Sequence, residues 1–166
     1  YGEVVFGERS HSHQGLQSTS FMSRASPRIE GLARRVIAIE AEHAGLSDRR
    51  MCPAALAYER MRAPLTNVMG VTGFTSLASR ALALARQGDP ALSVLTMRSD
   101  GSLEGFEDHG RDRESGTADR AAEFVVARLV GLLSTFIGES LTVRLLLDIW
   151  PDASASETDS IGGDIS

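Results

Sequence analysis

Residues 117–150 read TADRAAEFVVARLVGLLSTFIGESLTVRLLLDIW, and this stretch decides the fold. Arg120, Glu123, Ala127, Gly131 and Ser134 recur every three or four positions, so the polar and small residues share one narrow helical stripe. Val125, Val126, Leu129, Val130, Leu132, Leu133, Phe136 and Ile137 cover most of the remaining surface. A helix that is so widely apolar is buried on several sides. Gly138 breaks it, and Glu139 and Ser140 open a second helix, where negative charge at the N-terminus is favourable. Leu141, Leu145, Leu146, Ile149 and Trp150 follow, and Pro151 ends the helix. Burial of each Leu- or Phe-sized side chain contributes about 1.5–3 kcal/mol, so this helix pair is expected to carry the core. The helix at 117–137 should lie at the centre, covered by helices at 28–45, 72–87 and 140–150. The apolar run from Ala121 to Ile137 contains Glu123 and Arg128 and is 17 residues long, which argues for a buried helix and against a membrane span.

Upstream, Ser26-Pro27 suits a helix start, because serine can cap and proline fits the first turn. Ile29, Leu32, Val36 and Ile39 then recur at spacings of three, four and three, His43 and Leu46 continue the stripe, and Gly45 ends the helix. The stripe is narrow, and it fits either a helix packed on its own domain or one that pairs with a second copy or a partner. Pro53 begins another helix, expected to break near Pro64, which removes a helical hydrogen bond. A third helix starts at Thr72 or Gly73 and stops at Gly88-Asp89-Pro90. Alternation over Leu92–Met97, the Asp100-Gly101 turn signal and a return over Leu103–Phe106 predict a β-hairpin. That hairpin must lie on helices or extend another chain's sheet. Residues 107–116 read as a solvated loop.

The expected architecture is therefore mainly α: a compact bundle of about five helices with one small β-hairpin. Residues 1–25 are expected to be disordered or added to the natural chain, 26–151 to form a single helical domain, and 152–166 to be a disordered acidic tail.

Composition narrows the function. All 17 basic residues are arginine, and with abundant Ala and Gly this suggests a GC-rich, bacterial genome. Residues 1–100 hold 12 Arg against 9 acids, whereas residues 101–166 hold 5 Arg against 13 acids. No dense basic stripe exists and the acidic second half would repel a phosphate backbone, so no nucleic-acid partner is expected. The lone Cys52 cannot form an internal disulfide or a paired-thiol metal site, which suits a reducing cytoplasm.

Motifs for chemistry are sparse. Gly70-Val-Thr-Gly73-Phe-Thr-Ser76 places glycines and hydroxyls at a helix start, but the phosphate-binding loop needs a lysine that this chain lacks. Glu40 and His43 have the i, i+3 spacing of di-iron bundles without a second such pair. A thiol site would need Cys52 with His43 or His109 as base, and no nucleophile-elbow motif occurs. No catalytic, metal or cofactor site is assigned, and no cofactor is expected.

Glu59-Arg60-Met61-Arg62-Ala63-Pro64-Leu65-Thr66, followed by Gly70, resembles the H-box of sensor histidine kinases. In that family the phosphate-accepting histidine lies five residues before the proline. Glu59 stands there in this chain, and no ATP-binding glycine boxes follow. The resemblance covers about a dozen residues and implies a degenerate helical dimerisation module without phosphotransfer.

The expected function is that of a non-enzymatic helical interaction module, a bacterial regulator or adaptor acting through contacts with a protein partner or a second copy of itself, with no membrane partner. The expected interface is Ile29, Leu32, Val36, Ile39 and His43. The alternative is a small enzyme or ligand-binding protein with a pocket between helices, drawing on Cys52, His43, Tyr58 and His109. A further expectation is that any exposed strip on the helix at 117–137 would be the best candidate binding site.

Overall fold

The computed structural model describes residues 25–44, 52–105 and 117–154, with backbone alone for 117–119. The expectations for 1–24, 45–51, 106–116 and 155–166 lie outside the described residues. Four α-helices and a two-stranded antiparallel sheet make up the described fold: α1 (Pro27–Ala44), α2 (Pro53–Gly88), β1 (Thr96–Met97), β2 (Leu103–Glu104), α3 (Thr117–Ile137) and α4 (Glu139–Ile149). Two 3-10 turns, Pro90–Val94 and Pro151–Ser154, follow α2 and α4.

The mainly helical fold follows the sequence pattern, with two corrections. The expected second and third helices are joined end to end, and the break between them is at Gly70 instead of Pro64. Helix α2 runs through Pro64 because Met61 and Leu65 on either side are both buried, and their packing outweighs the hydrogen bond the proline removes. At Gly70 the backbone adopts φ 77° and ψ 162°, a region essentially reserved for glycine. The second half of α2 then folds back on the first. Tyr58 and Phe74 would sit about 24 Å apart on a straight helix, yet their ring centroids are 5.9 Å apart.

The second correction concerns the hairpin. Residues 92–94 form a 3-10 turn, not a strand, because Pro90 starts a helical turn and the Asp89 carboxylate accepts from the Ala91 N–H at 2.9 Å. Strand pairing is confined to Thr96 opposite Glu104 and Met97 opposite Leu103. The expected turn is present: the Asp100 carboxylate accepts from the Ser102 N–H at 2.9 Å, and Gly101 has φ 81°. A Cβ on Gly101 would lie 2.8 Å from the Phe74 ring, so both backbone and space require glycine there. The buried Tyr58 hydroxyl donates to the Gly101 carbonyl at 2.6 Å and fastens the hairpin to α2.

Helix α3 touches α1, α2 and α4, with its largest interface on α2. Ala121, Ala122, Val125, Val126, Leu129, Val130 and Leu133 are all buried, so this helix does supply the centre of the core. Helices α1 and α4 lie side by side and point the same way. At one end the Ser26 hydroxyl donates to Glu139 at 2.7 Å, and at the other the Trp150 indole N–H donates to Glu40 at 2.7 Å.

Candidate interaction surface

The expected interface residues divide. Ile29, Leu32 and Val36 are enclosed in the chain's own core, Ile39 packs half-buried against it, and His43 is exposed. The narrow stripe on α1 is thus occupied by this chain's other helices at its first three positions.

Glu40, on the same helix, is buried and bonded twice. Besides Trp150, its carboxylate accepts from the Arg60 guanidinium at 2.7 Å, and that guanidinium lies 5.8 Å from the Trp150 ring centroid. The arrangement pairs a buried carboxylate with a cation stacked on an aromatic face, and it satisfies the indole N–H as burial requires. Arg35 adds a bond to the Ala153 carbonyl at 2.7 Å. These contacts clamp the end of α4 to α1 and α2. They also turn Glu40 inward while His43 stays at the surface, so the two do not converge on a metal. No group of three metal-ligating side chains occurs among the described residues.

The residues considered for an enzyme site do not come together either. Cys52 stands half-buried at the N-cap of α2. Tyr58 is held by Gly101, and burial pushes its phenol well above the usual range, so it stays protonated. His109 lies outside the described residues. Glu59, in the H-box-like stretch, accepts from Arg62 at 2.8 Å. At the Gly70–Ser76 stretch the Thr75 hydroxyl donates to the Val71 carbonyl at 2.8 Å. Among the described residues no buried side-chain polar atom lacks a partner, so none is aimed at a missing ligand.

What remains is exposed apolar surface, and it collects at two glycine elbows. Val68 (59% exposed) and Val71 (49%) flank Gly70. Phe136 (79%) and Leu141 (47%) flank Gly138, whose φ 88° and ψ 155° match those of Gly70. Phe136 lies three residues after Leu133 and seven after Leu129, both fully buried, and so continues the core stripe of α3. It is exposed because α3 carries it past the helices that cover that stripe. By its periodicity Phe136 belongs to the core, but periodicity reports direction and not where the covering helices stop. On α4 only Thr142 and Leu146 are buried. Leu141 is exposed, and Val143, Leu145, Leu147 and Ile149 are half-buried. Of the polar and small stripe on α3, Arg120 and Glu123 face out, joined by the exposed Phe124, whereas Ala127 and Ser134 are half-buried and Gly131 is buried.

Helix α2 is long and apolar enough to cross a membrane by length and composition, with 28% of its most apolar window buried. Its chain reverses at Gly70, however, and beyond Val71 the exposed positions of its second half, Thr72, Ser76, Ser79, Arg80, Ala83 and Gln87, are polar or small.

No protein-family profile matches the chain, and no curated protein or solved structure does so.

Proposed function

We propose that this chain is a helical interaction module, a regulator or adaptor that acts by docking a protein through the α3–α4 elbow instead of catalysing a reaction. The observation that carries this reading is Phe136: a large aromatic on the core stripe of the central helix, left outside the core at a rigid corner. Aromatic side chains held in this way act as anchors in protein interfaces. Leu141 across the corner and the half-buried apolar residues of α4 enlarge the patch. The single cysteine supports a reducing, cytoplasmic setting for the module.

Site-specific photocrosslinking in cells tests the reading. A benzophenone amino acid at position 136 is expected to trap a discrete protein adduct. The same group at Ala83, exposed on α2, serves as control. Equal, diffuse labelling from both positions would overturn the proposal.

A further inference from the structure

The outer face of α4 has the properties of a self-complementary surface. Leu141, Arg144 and Asp148 are exposed along it at spacings of three and four, with Leu145 half-buried among them. Among the described residues neither Arg144 nor Asp148 has an ion-pair or hydrogen-bond partner. Two opposite charges four residues apart lie on one helix face with an apolar side chain beyond them.

We infer that a second copy of this chain docks antiparallel on α4, about a two-fold axis that crosses the outer face of the helix midway between Arg144 and Asp148, level with position 146. The inference rests on reading the α3–α4 region as a docking surface, and it names the occupant. An isologous contact brings residue i to residue j and j to i. With the axis at 146, Arg144 of one copy meets Asp148 of the other, twice. Leu141 meets the exposed Pro151. Asp152, exposed just past the helix, comes opposite Ser140 in the first turn of the second copy's α4. There the helix dipole favours its charge. The parallel arrangement has no such match: it would set Arg144 against Arg144 and Asp148 against Asp148. The helix has 11 residues and spans about 16 Å, so the contact is small and the dimer weak and reversible.

Charge reversal gives the decisive test, read by sedimentation equilibrium at chain concentrations up to on the order of 100 µM, where small interfaces are populated. The wild-type chain is expected to dimerise. Arg144→Asp leaves two acids on the face and Asp148→Arg leaves two arginines, so each variant alone is expected to lose at least tenfold in association. Mixed in equal amounts, the two variants are complementary at both contacts and are expected to form a heterodimer at least as tight as wild type. Buried Trp150 emission checks that each variant is folded. Should either variant fail that check, Arg144→Gln and Asp148→Asn take their places, with weakened association expected for both. A wild-type monomer, single variants that associate like wild type, or a mixture no tighter than its parts would each overturn the inference. The crosslink at position 136 decides the docking reading separately, because it is scored by adducts with other proteins as well.

Discussion

The two glycine elbows solve the same problem with the same backbone, and they differ in what holds them. Gly70 and Gly138 both sit near φ 80°, ψ 160°, and neither has an atom within 4 Å of where a Cβ would be. Space is therefore not what selects glycine at either place; the backbone conformation is. Around Gly138 the next helix is tied down. Glu139 accepts from Ser26 at 2.7 Å and lies 4.0 Å from Arg28, Thr142 donates to the Gly138 carbonyl at 2.8 Å, and Ala25 packs against Gly131. The far end of the same helix is clamped by Glu40. Around Gly70 the local tie is Thr75 to Val71, within one helix. A corner fastened at both ends can present a protruding aromatic in a fixed direction. The corner at Gly70, whose neighbours Leu65 and Phe74 are held in the core by apolar packing, presents the smaller Val68 and Val71. This contrast is why Phe136, and not Val68 or Val71, is the anchor in the proposed function.

The contrast can be broken by mutation. The largest effect is expected from Glu40→Ala, which leaves the buried Trp150 N–H unpaired and removes the partner of Arg60. A loss of about 2–3 kcal/mol in denaturant unfolding is expected, together with a red shift of Trp150 emission. If the emission is unchanged, the clamp does not hold the end of α4. Next come the glycines. Gly138→Ala and Gly70→Ala should each cost about 1–3 kcal/mol from backbone strain. Gly138→Ala should cost the more, because its neighbours on both sides are fixed and cannot relax. Urea melts of the pair, with the order reversed, would contradict the account of the two corners. Glu139→Ala removes a half-exposed tie and should cost about 0.5–1 kcal/mol, measurable as a small drop in urea midpoint. The smallest effect belongs to Phe136→Ser. An aromatic outside the core contributes little to its own fold, so stability should change by less than about 0.5 kcal/mol. A loss of several kcal/mol would show that Phe136 is core after all.

How much of this was legible in the sequence depends on the distance over which each feature is determined. The polar stripe of α3, the break at Gly138 and the stops at Asp89 and Pro151 are local, and the pattern of neighbouring residues displays them. The passage of α2 through Pro64 was not legible, because it depends on what Met61 and Leu65 pack against. The turn at residues 90–94 looks like a strand in the sequence because Leu92 and Val94 alternate as strand residues do, while the Asp89 cap and Pro90 act on the backbone alone. Of the surface, the expected stripe on α1 had the right periodicity, but periodicity alone cannot tell a stripe that meets its own chain from one that meets another. Glu40 was noticed for its spacing from His43. Its actual partners are 20 and 110 residues away and leave no mark on the local pattern.

The clamp also sets an order of events during synthesis. Ser26 waits for Glu139, Arg35 for Ala153 and Glu40 for Trp150, pairs separated by 113, 118 and 110 residues. Helix α1 leaves the ribosome well before its polar partners in and just after α4. Contacts so remote along the chain slow folding, since the intervening loop must close before they form. Until then Glu40 has Arg60 but not the Trp150 indole, and α1 lacks the helix that packs beside it. The nascent chain thus carries an open seam along α1 until α4 has been made and docks beside it.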